Sequence, residues 1–278
     1  DVKPGMRVVV DCANGAMSNV AADVFSALRI DATVYNAEPN GTNINVGCGA
    51  AHPERLADLV VRHDCDLGIA FDGDGDRLIA ATPSGTIVDG DHIIAIAAND
   101  LRRRGLLTND AVVVTVMSNL GFQRAMAASN ITVHTTPVGD RSVLIEMDRT
   151  GAVLGGEQSG HIIHRGLATT GDGLLASVQL IGALSRADAT ISEAAGAAMT
   201  SFPQVLINVR VASNAKGVVD ACAEVIAEVE SQLGSDGRVL VRASGTEPLV
   251  RVMVEASTEV VAQQAAQRIA DHASAVEG

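Results

Sequence analysis

Valine-rich apolar runs alternate along this chain with alanine-rich stretches of helical period, and that alternation predicts its elements. Strands are expected over residues 7–11, 32–35, 66–71, 78–81, 111–116, 132–135 and 153–155. Helices are expected between them, over 16–29, 53–63, 91–104, 120–128 and 140–148. Fully apolar strands separated by helices indicate α/β layers around a largely parallel sheet. The pattern echoes itself. Val8-Val9-Val10-Asp11 followed by Asn14-Gly15 is matched by Val112-Val113-Val114-Thr115 followed by Asn119-Leu120-Gly121. The echo predicts two α/β domains of related topology.

The tail has a different rhythm. Helical patterns at 171–184 and 191–199 precede a break at Ser201-Phe202-Pro203. A strand at 204–211, a helix at 216–233, strands at 238–241 and 250–256 and a helix at 260–275 follow. That order suggests a separate small α+β domain. The expected fold is α/β: two related three-layer α/β domains, residues 1–88 and 89–199, then a small α+β C-terminal domain, residues 200–278. The first strand begins within a few residues of Asp1, so the chain reads as a piece of something longer.

Composition narrows the partners. With 33 acidic against 20 basic residues, the net charge is −13. Such a chain is a poor non-specific binder of nucleic acid or of anionic membrane. It has no Trp, a single Tyr (Tyr35) and four Phe, so stacking on bases or sugar rings is nearly unavailable. No run reaches the roughly 18 apolar residues of a membrane span, and no signal peptide is evident at the start. Cys12, Cys48, Cys65 and Cys222 form no Cys-x-x-Cys pair. They read as small buried thiols of a reducing compartment, which places the protein in the cytoplasm.

Three loops carry candidate chemistry. In the first, Asp72-Gly73-Asp74-Gly75-Asp76-Arg77 follows an apolar strand. Carboxylates at alternate positions, spaced by glycine, can converge on one cation, and oxygen donors favour Mg²⁺ or Ca²⁺. The carboxyl end of a strand is where α/β folds place ligands. An EF-hand is excluded, because its sixth position would be Arg77 and its twelfth Pro83. A phosphatase using Asp72 as nucleophile and a plain Asp-Gly hairpin turn are the rivals.

The second loop is Gly155-Gly156-Glu157-Gln158-Ser159-Gly160-His161, which can present an acid, an amide, a hydroxyl and an imidazole to a polyol. His161 is its general acid/base candidate, and a tight turn with a solvated His is the alternative. The third is Arg242-Ala243-Ser244-Gly245-Thr246-Glu247-Pro248 with Arg251. Two arginines about a Ser-Gly-Thr turn make a phosphate cradle, against the alternative of a salt-bridged hairpin. Gly139-Asp140-Arg141 offers a polar contact or an N-cap at Asp140, and Asn40-Gly41-Thr42-Asn43 reads as an ordered loop. Arg102-Arg103-Arg104 reads as a helix C-terminus, and His52, His63, His134, His164 and His272 show no ligand spacing.

Together these motifs resemble the α-D-phosphohexomutases over essentially the whole chain. Asp72 to Arg77 resembles their metal loop, Gly156 to His161 their sugar loop, and Arg242 to Arg251 their phosphate loop. Gln158, with Met117-Ser118-Asn119-Leu120-Gly121 and Val138-Gly139-Asp140-Arg141, resembles the bacterial branch acting on glucosamine phosphate. Phosphomannose or phosphoglucose specificity is the runner-up.

The resemblance implies four domains, of which this chain matches the second, third and fourth. The family's first domain carries a Ser-His-Asn-type loop whose phosphoserine performs the transfer, and no such motif occurs here. By resemblance, the complete enzyme interconverts glucosamine 6-phosphate and glucosamine 1-phosphate for UDP-N-acetylglucosamine synthesis. Glucosamine 1,6-bisphosphate is its intermediate and activator. Asp72, Asp74 and Asp76 would hold Mg²⁺, with Arg77 and His161 beside the reacting group. Glu157 and Ser159 would contact the sugar. Arg242, Ser244, Gly245, Thr246 and Arg251 would grip the second phosphate. The partners implied are a phosphosugar and the missing N-terminal domain, with room for a homodimer. This chain alone would be inactive. A shortened, non-catalytic sugar-phosphate or metal-binding module is the reading from another class.

Overall fold

The computed structural model describes residues 2–212, 214–245 and 247–277. The valine run Val8-Val9-Val10 is buried on both faces and becomes the middle of a sheet. This strand, β1 (Arg7–Asp11), lies between β2 (Asp31–Tyr35) and β3 (Leu67–Phe71), parallel to both. β4 (Leu78–Ala81) turns back antiparallel to β3, and β5 (Ile87–Val88) pairs antiparallel with β4.

The second sheet repeats that order. β6 (Ala111–Thr115) lies between parallel β7 (Thr132–Thr136) and β8 (Leu154–Gly156). β9 (Ile162–His164) returns antiparallel to β8. The orders β2-β1-β3-β4 and β7-β6-β8-β9 are the same topology, as the echo in the sequence predicted.

The helices are α1 (Ala21–Ala27), α2 (Pro53–His63), α3 (Gly90–Arg103), α4 (Leu120–Ala128), α5 (Asp140–Thr150), α6 (Gly173–Ala187) and α7 (Ile191–Ala198). Local chemistry sets several of their ends. Pro53 opens α2, where its missing N–H costs nothing. Asp89 and Asp172 cap α3 and α6 by accepting from His92 N and Leu175 N, and Thr190 and Glu193 form a capping box on α7. The helix expected over 16–29 is interrupted. Its first turn, Ala16–Asn19, is a 3₁₀ turn anchored outside the helix by Ala16 N donating to Gly73 O at 2.8 Å.

The chain divides into two compact units: Asp1–Ser118 with Phe122–Thr200, and Asn119–Gly121 with Ser201–Gly278. Both sheets thus fall in one unit, and α3 supplies the reason. Ile93, Ile94, Ala95, Ile96, Ala97 and Ala98 are buried in succession, so α3 has no solvent face along this stretch. It packs on α6, α7 and β8. A single apolar cluster runs through Val10 and Ile69 of the first sheet and Val112 and Leu154 of the second.

The second unit contains a three-stranded antiparallel sheet. β12 (Leu249–Ala256) lies between β10 (Gln204–Arg210) and β11 (Gly237–Ala243). The helix expected over 216–233 is two, α8 (Ala215–Ala221) and α9 (Ala223–Leu233). They meet at buried Cys222, whose N–H is shared between Val218 O and Val219 O. With α10 (Glu259–Glu277) they close over Val250, Val252 and Val254. All four cysteines are buried and free. No described helix is long and apolar enough to cross a membrane.

His164 closes β9 in a buried position that pushes its pKa down to about 4. The neutral ring is compatible with the fold. As pH falls below the unfolded value of 6.5 the unfolded chain takes up a proton first, and stability is lost until the folded ring also titrates. Melting curves between pH 7 and pH 4 are expected to show a loss from this residue of about 3 kcal/mol. His164→Leu is expected to flatten that part of the profile, and an unchanged slope would show that other groups cause it.

Candidate functional site

The six-residue loop between β3 and β4 places Asp72 to Arg77 at the carboxyl end of the sheet. Asp72 Oδ1 accepts from Arg77 N at 3.2 Å, and its backbone oxygen accepts from Gly75 N at 3.1 Å. The loop therefore closes on Asp72. Burial and the neighbouring Asp76 carboxyl raise the Asp72 pKa. Burial opposes ionisation of Asp76, but the Asp72 carboxyl beside it and the hydrogen bond from His161 hold its pKa below the ordinary value. Asp74 is exposed.

Among the described residues, no three His, Cys, Asp or Glu side chains are gathered closely enough to hold a metal ion. Convergence of three carboxylates was expected, and the loop brings those of Asp72 and Asp76 near enough to influence each other. The donor set itself suits a hard divalent cation: every donor is oxygen, and two neighbouring ionised carboxylates repel each other unless a cation or proton intervenes. A cavity of about 550 Å³ opens beside the loop, lined by Met17, Asp74, Gly75, Asp76 and residues 167–172.

The glycine-rich loop connects β8 to β9 and is stitched to the acidic loop along the backbone. Arg77 and His161 form a β-bridge, and Leu78 N donates to Gly160 O at 2.9 Å. Only glycine permits this at position 160, where φ is +95° and a Cβ would stand 2.2 Å from Leu78 O. His161 seals the junction. Its Nε2 accepts from Gly171 N at 3.1 Å, so the ring proton is on Nδ1, which donates to Asp76 Oδ2 at 3.0 Å. The residue is buried. Both ring nitrogens of His161, the expected acid/base group, are thus engaged with the protein.

The other members of this loop are held to different degrees. Glu157 Oε1 accepts from Gly139 N at 3.1 Å, so the Gly139-Asp140-Arg141 motif supports the glycine-rich loop through its glycine. Gly139, not Asp140, is the N-cap of α5. Gln158 donates its amide to Asp89 Oδ2 at 3.2 Å and accepts Gly90 N on its backbone oxygen. Ser159 is exposed, and Arg77 is half exposed, with its Nε 3.8 Å from Asp72 Oδ2. Sequence reasoning missed Asp89, Gly171 and Asp172. The run Thr169-Thr170-Gly171-Asp172-Gly173 ahead of α6 carried a readable signal: Asp172 caps the helix, and Gly173 N reaches Gly75 O at 2.8 Å.

The second unit holds the arginine loop between β11 and β12. Arg242 and Arg251 face each other across the ladder. Burial and the positive charge of Arg251 lower the Arg242 pKa. Arg251 reaches Glu247 Oε2 at 3.3 Å through Nη2, while its buried Nε has no hydrogen-bond partner. Ser244 N closes the turn on Leu249 O at 2.8 Å. Two like charges side by side, one with an unspent donor, have the chemistry to take an anion. Gly245 is exposed beside them. Thr246 lies outside the described residues.

Comparison with known proteins matches three successive stretches of the chain. Residues 1–85 match the phosphoglucomutase/phosphomannomutase alpha/beta/alpha domain II, 89–202 domain III and 206–272 the C-terminal domain of that family. The phosphoglucosamine mutases of Bacillus cereus and Shouchella clausii are 49% and 51% identical over 268 residues. Each alignment covers 96% of this chain and 60% of the relative, so the chain spans about three-fifths of their length. A solved Aspergillus fumigatus N-acetylphosphoglucosamine mutase, in complex with GlcNAc-6P and magnesium, shares the fold. Its TM-score is 0.79 at 21% identity, over 100% of this chain and 63% of that one. Three successive domain matches, in order and over nearly all its length, show that the chain belongs to the phosphoglucomutase/phosphomannomutase family.

Proposed function

We propose that these residues are the metal, sugar and phosphate loops of a phosphoglucosamine mutase, whose nucleophilic serine comes from chain outside the 278 residues. The observation that carries the reading is the junction of the first two loops. His161 links Asp76 to Gly171, and Gly160 is bonded to Leu78, so a phosphoryl acceptor seated on the sugar loop would lie beside the acidic loop. The 49–51% identity to named phosphoglucosamine mutases favours glucosamine phosphate over mannose or glucose phosphate.

In this reading a serine phosphate gives its phosphoryl group to the sugar 1-hydroxyl, which loses its proton, and glucosamine 1,6-bisphosphate forms. After reorientation the 6-phosphoryl group returns to the serine, leaving glucosamine 1-phosphate. Asp72, Asp74 and Asp76 would hold Mg²⁺, which supplies positive charge to offset that of the transferring group. Arg77, half exposed at the loop's end, adds a second positive charge on the same side. Glu157 and Ser159 orient the sugar hydroxyls. His161 holds Asp76 and the loop junction in place, and Arg242, Ser244, Gly245, Thr246 and Arg251 grip the phosphate that is not moving. The four buried free thiols support a reducing, cytoplasmic setting.

The purified chain is expected to bind glucosamine 6-phosphate and to form no glucosamine 1-phosphate, even with Mg²⁺ and the bisphosphate added. Turnover by the chain alone would overturn the assignment of the nucleophile. Absence of binding would overturn the site. Release of inorganic phosphate that Asp72→Asn abolishes would establish the phosphatase reading instead.

A further inference from the structure

Asp11 ends β1 with a fully buried carboxylate that the functions assigned above do not use. Its Oδ1 accepts from Ala13 N and its Oδ2 from Gly49 N, each at 2.9 Å. Burying a carboxylate costs several kcal/mol, and two backbone donors offset only part of that. The two N–H groups it holds belong to two separate loops, and both loops press on the acidic loop.

The first loop turns through Ala13 and Asn14, both in the left-handed region with φ of 54° and 48°. Non-glycine residues resist that conformation, so the turn needs an anchor. Beyond the turn, Ala16 N donates to Gly73 O at 2.8 Å, and Gly15 packs so closely that a Cβ there would stand 2.2 Å from the same oxygen. The second loop ends at Gly49. It is tied to the first by Asn45 N donating to Ala13 O at 2.9 Å. Its Ile44 and Asn45 lie on the other side of Gly73, where a Cβ would meet Ile44 Cδ1 at 2.6 Å and Asn45 Nδ2 at 2.8 Å. Gly73, the residue between Asp72 and Asp74, is thus gripped by two loops that share one carboxylate.

We propose that Asp11 is a positioning residue for the acidic loop: through the 13–16 and 44–49 segments it sets the backbone at Gly73, and with it the separation of the Asp72 and Asp74 carboxylates. The proposal rests on the reading of that loop as a divalent-cation site. It assigns work to the Asn40-Gly41-Thr42-Asn43 region, whose own side chains fold it: Asn40 Oδ1 accepts from Thr42 N at 3.0 Å, and Asn43 Nδ2 donates to Glu38 O at 3.0 Å. These bonds deliver Ile44 and Asn45 to Gly73.

The test is calorimetric titration of the 278-residue chain with Mg²⁺ alone. Asp11→Asn keeps the size of the side chain but replaces one acceptor oxygen with a donor, so one loop is released. Its Mg²⁺ affinity is expected to fall at least about tenfold, the range seen when outer-shell partners of metal ligands are removed. Inorganic phosphate binding at Arg242 and Arg251 is expected to be unchanged, as an internal control. Ile44→Ala is expected to lose less, and because Ile44 is half exposed the variant keeps the buried carboxylate and the core intact. A merely structural role would lower the melting temperature of Asp11→Asn and leave its Mg²⁺ affinity, once folded, as in the parent. Parent-like affinity in folded Asp11→Asn would therefore overturn the proposal. If Asp11→Asn does not fold, Ile44→Ala decides, and parent-like affinity there overturns it. A parent chain that binds no Mg²⁺ would instead overturn the cation-site reading on which the proposal stands.

Discussion

Replacing Arg242 and Arg251 together with glutamine is expected to abolish phosphate-ester binding by the second unit while leaving that unit folded. The two guanidinium groups are paired across β11 and β12, and like charges directly opposite each other destabilise a ladder. The repulsion is already visible in Arg242, whose pKa burial and the charge of Arg251 lower. The buried, unpartnered Nε of Arg251 is the donor a bound anion would take. Charge-assisted hydrogen bonds contribute about 1.5–3 kcal/mol each, so either single variant should weaken glucosamine 6-phosphate binding about 10- to 100-fold. The double variant should fall below detection. Stability should hold or rise, because the one ion pair lost, Arg251 with exposed Glu247, is worth little. Calorimetry with the sugar phosphate and thermal melting of the same samples check both halves. Undiminished affinity in the double variant would remove the phosphate site from this loop.

The fold was legible in the sequence wherever burial was complete. Val8-Val9-Val10 and Val112-Val113-Val114 could only be interior parallel strands, and the repeated topology of the two sheets follows from them. Two short strands were not legible: β5 has two residues and β9 three, too few for any period to register. The joint core of the two sheets was also hidden. A helix was expected over 91–104, and the packing shows what covers Ile93 to Ala98 on every side.

The site was legible as three loops and not as an arrangement. Residue types and glycine spacing marked Asp72 to Arg77 and Gly156 to His161. That the two are stitched together depends on the antiparallel return of β4 and β9, which no local pattern encodes. His161 shows the consequence. Alone in a glycine-rich loop it reads as an acid/base group, whereas in the fold one nitrogen is bonded to Asp76 and the other to Gly171. Asp11 shows the converse, since it reads as the polar end of a strand and proves to hold two loops.

Glu255→Ala is expected to destabilise the second unit by about 3–5 kcal/mol, because it breaks a buried ion pair and removes a carboxylate that accepts four hydrogen bonds. Glu255 has no exposed surface. Its Oε1 accepts from Gln204 Nε2 at 2.9 Å and from Arg238 Nη2 at 3.0 Å. Its Oε2 accepts from Arg238 Nε at 3.1 Å and from Leu120 N, in the same unit, at 2.8 Å. Every oxygen lone pair that geometry can use is taken, and the fork-on-fork contact with Arg238 is the favourable arrangement for a guanidinium. Removing the carboxylate takes the shared acceptor from Gln204 Nε2 and Leu120 N and the fork-on-fork partner from Arg238. Removing both charges is a different matter. Glu255→Leu with Arg238→Met fills the space with apolar atoms, and the pair should recover most of the loss, since a buried ion pair and a well-packed apolar pair are of similar net stability. With no Trp in the chain and its one Tyr at position 35 in the other unit, the transition is to be followed by far-ultraviolet circular dichroism in urea. A loss below about 1 kcal/mol for Glu255→Ala would mean that water reaches the site and that the carboxylate is a surface group in solution.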